Sequence, residues 1–501
     1  MLITILVYLA AMVGIGAVLA KQNQTTDDFY LGGRTLGPLV TAMSAEASDM
    51  SSWLLMGLPG VAYLSGTADA AWTAIGLAIG TYVNWLVVAK RLRNYTHVCG
   101  NSTTLPLFFS NRYRDNKRIL SVIAALLIII FFVPYTASGF AACGKLFANL
   151  FGMDYLPAML ISAIVIVAYT TLGGFLAAST TDFVQSIVMT IAIVVVFGFG
   201  ISKVGSFSAV MDNAKSMAGY FSLTHTHDVA TGTASPYSLL QIFSTLAWGL
   251  GYFGMPHVLL RFMAIGDANK LKLSRRVATV WVVISMAVSV FIGVIGNAMT
   301  KAGVLPTLKD PETIILVVAD LISKHGVLAT IIAGLILAGI LAATMSTADS
   351  QLLAASSSAS QNILKEVFMK DMSEKTGMLI ARITVLIIAL IGVFIARDPN
   401  SSVFQIVSLA WAGFGASFGP LVLMALFWKR STLQGALAGM VSGGVMVFVW
   451  KFLIRPMGGA LGIYELLPAF LVGLAVNVIV SLLTPVPSQE IQDEFEKVAK
   501  M

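Results

Sequence analysis

Ser44-Ala45-Glu46-Ala47-Ser48-Asp49-Met50-Ser51-Ser52 lies inside a stretch that is otherwise apolar enough, and long enough, to cross a bilayer. It sets two carboxylates and four hydroxyls where an ordinary span carries leucine. A charged side chain at mid-depth costs at least ~2.5–3.5 kcal/mol. Something must offset that cost, and a bound cation is the simplest candidate. The segment points to ion-coupled movement of a solute.

The surrounding composition supports a membrane setting. Of 501 residues, 57% are hydrophobic and 11% charged, against about 25% charged in an average soluble domain. Successive apolar runs of roughly 20 residues describe an all-α polytopic membrane protein. About thirteen spans are expected, near 2–20, 36–62, 70–89, 118–143, 156–176, 183–204, 237–260, 277–300, 326–356, 378–396, 402–428, 433–453 and 463–484. The first run lacks a basic leader and is long enough to be a span rather than a cleavable signal. Cys99 and Cys143 are too few for a disulfide framework and lack metal-ligand spacing. The net charge of +7 reads as loop asymmetry rather than nucleic-acid binding. Lys and Arg crowd alternate loops, among them Arg34, Lys90, Arg91, Arg93, Arg112, Arg114, Arg261, Arg275, Lys365 and Lys429. That set is expected to be cytoplasmic, with the N-terminus outside and the C-terminus inside. The loop 205–236 is then external. Its His225-Thr226-His227 invites a metal reading, but no further ligand lies nearby and a solvated loop suffices. The tail 487–501 is polar and is expected to form a short cytoplasmic helix.

Two spans carry interruptions. The second has Ser48-Asp49 at mid-depth, then Gly57-Leu58-Pro59-Gly60. The seventh reads Trp248-Gly249-Leu250-Gly251-Tyr252-Phe253-Gly254-Met255-Pro256. An interior glycine costs a helix about 1 kcal/mol and a proline about 3. The interruptions lie five spans apart, and an odd number of spans per unit inverts the second unit. Paired broken helices in corresponding positions mark an inverted-repeat transporter with its site near the midplane. Unwound backbone frees carbonyls for a cation and amides for a carboxylate. Glycine and proline also serve close helix packing.

The ninth span adds Ala343-Thr344-Met345-Ser346-Thr347-Ala348-Asp349-Ser350. Ser346 and Ser350 share a face at i and i+4, with Thr347 beside them. Hydroxyl and carbonyl oxygens suit a hard monovalent cation, although membrane hydroxyls often bond back to their own helix. Asp182, after Thr180-Thr181, is either an N-cap or an ion-exit residue. Tyr135, Trp248 and Tyr252 lie inside spans, where a polar tip needs a partner and a ring also serves plain packing. If the seventh span stays partly helical, Trp248 and Tyr252 share a face and can enclose an apolar ring.

These residues resemble the sodium–solute symporter family over nearly the whole length. The likeness runs through Leu31-Gly32-Gly33-Arg34-Thr35-Leu36-Gly37-Pro38, Ser48-Asp49-Met50-Ser51 and Trp53-Leu54-Leu55-Met56-Gly57-Leu58-Pro59-Gly60. It continues in Gly173-Gly174-Phe175-Leu176-Ala177, the segment 248–263 with His257 and Arg261-Phe262, and Met345-Ser346-Thr347. It returns in Ala410-Trp411-Ala412-Gly413-Phe414-Gly415 and Gly435-Ala436-Leu437-Ala438-Gly439-Met440. The resemblance implies a leucine-transporter-like core of two inverted five-helix repeats, 36–204 and 237–430. A first helix and loop at 1–35 precede it, and two peripheral helices at 431–486 follow. It implies sodium-driven uptake of L-proline by alternating access at a bacterial cytoplasmic membrane, with sodium as coupling ion, no enzymatic activity and no obligatory protein partner. It also implies that the carbonyls of Ala47, Met50 and Ala343 and the hydroxyls of Ser346 and Thr347 surround sodium, with Asp49 nearby. Ser51, Tyr135, Trp248, Tyr252 and Pro256 match positions linked to proline binding. Arg34 and Asp182 match positions tied to cytoplasmic gating and sodium release. Glu46, Ser52 and Asp349 depart from the family pattern; the two carboxylates bear on ion stoichiometry or proton entry. Two alternatives remain: the same scaffold moving another small solute with sodium or protons, and a transporter-like sensor, for which the short tail leaves no signalling module.

Overall fold

Hydrocarbon offers a backbone no hydrogen bonds, so every amide and carbonyl must be satisfied within the chain. The chain meets this demand with helices almost throughout. The computed structural model describes residues 1–369, 371–398 and 403–501, apart from the side chains of residues 149–151, 403 and 404. Residue 402, the expected start of one span, lies outside that set. Ten of the described helices are long and apolar enough to cross a membrane. The strands described are His225–His227 and Ala234–Pro236, an antiparallel hairpin with Thr226 opposite Ser235. The hairpin shares the 205–236 segment with a short helix, Phe207–Ser216, so this stretch is more structured than a simple loop. The His227 ring bonds the Ala218 carbonyl at 2.8 Å, and no metal-holding cluster occurs among the described residues.

Both expected interruptions occur. In the first broken span, helix Pro38–Ser52 runs into a π-helical turn, Trp53–Gly57, and resumes as Leu58–Ser65. The break itself sits at Ser51, whose φ of 50° and ψ of −170° are non-helical. Glycine-like backbone at a non-glycine residue costs of order 1–3 kcal/mol and collects at ligand sites. The sequence pointed instead to Gly57-Leu58-Pro59-Gly60, but Pro59 stands in the first turn of the resumed helix, where its missing N–H costs little. The second broken span has helix Leu239–Leu246, then a 3₁₀ stretch Ala247–Phe253, then helix Pro256–Ala264 with proline at its start. The 3₁₀ stretch presses against helix Thr67–Val83. A Cβ on Gly80 would collide with the Gly249 carbonyl, so glycine permits this backbone-to-backbone approach.

Helix Tyr155–Val204 is 50 residues long, far beyond one membrane crossing. It bends at Gly174, where φ is 58° and ψ is −155°. Asp182 therefore lies inside the second half of this helix rather than at its N-cap, which removes the capping reading. Helix Val327–Ser357 is buried almost continuously from Ala333 onward, the mark of a core helix. It packs on Tyr155–Val204, Ile119–Phe151, Pro38–Ser52 and Leu2–Leu19. The polar tail forms helix Gln489–Ala499, held by Arg114 to Glu490 and Glu494 at 2.9 Å.

Candidate functional site

Broken helices matter for what they bring together. The Tyr252 hydroxyl, from the 3₁₀ stretch, donates to Asp49 Oδ2 at 2.6 Å, so the two interrupted spans meet through this bond. Asp49 Oδ1 has no hydrogen-bond partner. The Ser51 hydroxyl folds back to accept the Trp53 amide at 3.1 Å, which occupies part of the backbone freed by the break. Asp49, Met50, Ser51, Trp53, Leu77, Tyr135, Trp248, Val407 and Trp411 line one small cavity of about 20 Å³. That is little more than the room one water needs, so the walls lie nearly closed on one another. Its walls are mainly aromatic, with a carboxylate and two hydroxyls converging on it.

The expected pairing of rings takes a different form. With three residues per 3₁₀ turn, positions i and i+4 fall about a third of a circle apart, so Trp248 and Tyr252 do not share a face. Trp248 stacks on Tyr464 at 4.7 Å and 15°, and on Trp53 at 6.0 Å. Tyr252 turns to Asp49 and meets Trp411 edge-on at 5.2 Å. Trp411 also donates its ring N–H to the Trp248 carbonyl at 2.8 Å, which ties down a carbonyl that the break would leave free. Pro256 is buried at the start of its helix and is not among the cavity-lining residues.

Four residues of the expected sodium set lie together. The Ser346 hydroxyl is 2.8 Å from the Ala47 carbonyl and 3.3 Å from the Ala343 carbonyl. The Thr347 hydroxyl is 3.2 Å from the Ala343 carbonyl. All four residues are at most 3% exposed. Two hydroxyls and two carbonyls converging from two helices form an oxygen-only set of the kind hard cations take. The Met50 carbonyl accepts the Trp53 amide, and Met50 lies nearer the cavity than the hydroxyl pair does.

Deeper along the same span is a charged cluster that sequence reasoning missed. Arg261 Nη2 lies 3.0 Å from Asp182 Oδ2 and 2.6 Å from the Ser350 hydroxyl. Ser44 donates to Asp182 at 2.7 Å and accepts from Arg261 Nε at 3.0 Å. Ser350 and Tyr169 donate to the two oxygens of Asp349 at 3.0 and 2.7 Å. Arg261, Asp182 and Asp349 are at most 1% exposed. The signal available was charge at 182 and 349 inside apolar runs; Arg261, counted with the cytoplasmic loop cations, is instead buried within helix Pro256–Ala264, and no spacing says that three separate spans bring these residues into one group. Trp53, Leu77, Val407 and Tyr464 were missed for the same reason: each reads as an ordinary apolar span residue.

Arg34 stands apart from both clusters. With φ at 56°, it donates to the carbonyls of Met263 and Ser102 at 2.6 and 2.7 Å and to Asn101 at 3.1 Å. Beside it, Leu36 exchanges backbone bonds with Ala264 and Gly266. The entry to the first broken span is thus stapled to the exit of the second.

The geometry has counterparts among known proteins. Residues 29–443 match the sodium:solute symporter family. The chain is 42% identical to the sodium/proline symporter of Haemophilus influenzae, covering 100% of this chain and 97% of that protein. It is also 42% identical to the high-affinity proline transporter PutP of Bacillus subtilis, covering 97% of this chain and 98% of the relative. Among solved structures, a substrate-bound, outward-open Na+-coupled sialic acid symporter superposes with a TM-score of 0.80 over 97% of this chain and 98% of that one, at 19% identity. That likeness is one of fold, the helical architecture of leucine-transporter-like proteins. On the extent of these matches, the chain belongs to the sodium:solute symporter family.

Proposed function

We propose that this protein is a secondary transporter that takes up L-proline together with sodium by alternating access. The observation that carries the reading is the Tyr252–Asp49 bond at 2.6 Å, which joins the two breaks at the edge of a small aromatic cavity. Proline offers an apolar ring, a secondary ammonium and a carboxylate. The rings of Trp53, Trp248, Tyr135 and Trp411 supply the apolar wall, Asp49 faces the ammonium, and amides near Ser51 and Gly249 receive the carboxylate. Tyr252 holds Asp49, and Pro256 starts the helix that ends the break. Sodium is bound by Ala47, Met50, Ala343, Ser346 and Thr347, with Asp49 supplying charge nearby. One charge entering down a 100 mV potential yields ~2.3 kcal/mol, enough to concentrate the solute.

Counting Tyr155–Val204 twice and adding the two broken spans to the other long helices gives thirteen crossings. That odd count, with the basic loops inside, puts the N-terminus outside and the C-terminus inside a bacterial cytoplasmic membrane. The repeats are 36–204 and 237–430. Arg34 then clasps the cytoplasmic side, and Asp182 receives sodium on its way in. The test is uptake of labelled L-proline into proteoliposomes holding the purified chain, with and without an inward sodium gradient. Equal uptake in sodium-free choline buffer, or no competition by unlabelled proline, overturns the reading.

A further inference from the structure

Tyr464 lies beyond both proposed repeats, in the connection that leads into helix Leu466–Leu483. Its ring nevertheless stacks on Trp248 at 4.7 Å and 15°, closer than Trp53 at 6.0 Å or Trp411 at 6.3 Å. Two hydrogen bonds fix it there. The hydroxyl donates to the Ser408 carbonyl at 2.6 Å, and the Tyr464 amide donates to the Ser244 hydroxyl at 2.8 Å. Ser244 stands four residues before Trp248, and Ser408 is the chain neighbour of Val407. A buried tyrosine tip ordinarily finds some partner. Here both partners belong to walls of the cavity, the second broken span and helix Val403–Phe427, so Tyr464 ties those walls together.

The next two residues hold position 464 in place. Glu465 is fully buried, and its carboxylate meets Arg455 at 2.8 Å and Lys451 at 3.6 Å. A buried carboxylate needs such partners, and removing them is strongly destabilising. Leu466 reaches the unwound backbone itself. A Cβ on Gly415 would meet the Leu466 side chain at 2.6 Å and Gly251 at 2.9 Å. Helix Leu466–Leu483 also packs on the 3₁₀ stretch Ala247–Phe253. The last helix is thus anchored against the break, with Tyr464 at its leading end.

We propose that Tyr464 is a positioning residue, which sets the plane of the Trp248 ring and through it the size of solute that the cavity accepts. This rests on the transport reading above and adds to it a residue from the peripheral helices. The cavity is nearly closed, at about 20 Å³, so a small rotation of Trp248 changes its room by a large share. Packed side chains keep one arrangement because neighbours fill the space around them. With the Tyr464 ring removed, Trp248 loses a surface it lies against and turns toward the space left. A five-membered ring is then gripped less tightly, and a six-membered one is excluded less strongly.

The experiment compares half-saturating L-proline with that of its six-membered homologue, piperidine-2-carboxylate, in proteoliposomes of the full chain under one sodium gradient. A stacked aromatic pair is worth a few-fold to roughly tenfold in an equilibrium. Tyr464→Ala should therefore raise half-saturating proline roughly tenfold and narrow the gap between the two solutes about threefold or more. Tyr464→Phe keeps the ring and loses the bond to Ser408, so it should recover most of the proline affinity. If Tyr464→Ala yields no folded protein, Tyr464→Leu keeps bulk without a ring and carries the same expectation. Equal fold-changes for both solutes, or a fall in maximal rate alone, overturn the proposal, because a ring that only braces the bundle does not tell the solutes apart. Trp248 gives a readout that needs no transport. Its emission, taken as the difference between each chain and its Trp248→Phe counterpart, should move to longer wavelength in Tyr464→Ala as the indole loses cover. An unshifted difference also overturns the proposal. Absence of proline uptake in the unaltered protein sinks the transport reading instead, and the emission comparison still decides the place of Tyr464.

Discussion

Two acidic clusters meet at helix Pro38–Ser52, and they are neutralised in opposite ways. Ser44 belongs to the first, where Arg261 pairs with Asp182 and reaches Asp349 through the Ser350 hydroxyl. Glu46 and Asp49 form the second, where the donors are a tryptophan and a tyrosine. The first carries its own cation as a covalent part of the chain. The second has only neutral donors and leaves oxygens bare at Glu46, Asp49 and Asn84. A side-chain cation cannot leave, so the Arg261 cluster suits a permanent joint between spans, although Asp182 Oδ1 is also unpartnered and remains available to a passing ion. A cluster lacking a resident cation suits cargo that binds and departs.

The harshest test of this contrast removes the built-in cation. Arg261→Met should strip charge from two carboxylates that stay buried, and breaking a buried ion pair in this way typically costs ~3–5 kcal/mol. We expect a marked fall in the thermal unfolding temperature of the detergent-purified protein, partly reversed in Arg261→Met/Asp182→Asn. An unchanged melting temperature would mean the guanidinium does not hold the joint.

In the second cluster the corresponding change should spare the fold and affect the ion. Asp49→Asn keeps size and removes charge, so the half-saturating sodium concentration should rise more than tenfold, equivalent to over ~1.4 kcal/mol. The melting temperature without sodium should hold or rise, because an uncompensated buried charge is gone. Sodium activation like that of the parent would place the ion elsewhere.

Trp248→Ala separates the cavity from both clusters. Truncating a packed ring commonly costs ~2 kcal/mol or more, so half-saturating proline should rise roughly tenfold while sodium activation at saturating proline changes little. If titrations normalised to folded protein give unchanged proline affinity, the ring only packs the bundle.

The smallest expected effect is at the hydroxyl pair. Ser346→Ala and Thr347→Ala each delete one neutral oxygen, a loss of about 1 kcal/mol, so half-saturating sodium should rise several-fold. Parental titration curves in both variants would mean the hydroxyls only serve the carbonyls of Ala47 and Ala343.

Much of this was legible in the chain. Helical spans follow from apolar run length, because lipid leaves the backbone no other partner. The paired interruptions followed from Gly249, Gly251, Gly254 and Pro256, and from carboxylates at 46 and 49 that no ordinary span tolerates. The hydroxyls of Ser346, Thr347 and Ser350 were visible as neighbours on one helix, but the Ala343 carbonyl was implied by the resemblance alone, and Ser350 turns instead to Asp349 and Arg261. What stayed illegible was every partner across the fold. Ser51 rather than Pro59 carries the break, because glycine and proline propensities report what a helix resists and not what packing imposes. Trp248 and Tyr252 diverge because a 3₁₀ stretch rotates them apart, a difference in winding too slight to read in seven residues.

The sequence by itself determined that this chain crosses a membrane many times, that two of its spans are broken, and that it buries charge along them. Those properties depend on composition and local spacing. Only the tertiary structure decided which carboxylates receive a fixed guanidinium and which keep open oxygens. That choice depends on where Arg261, Trp85, Asn84 and Tyr252 arrive from distant spans, and long-range packing rather than local propensity sets those positions.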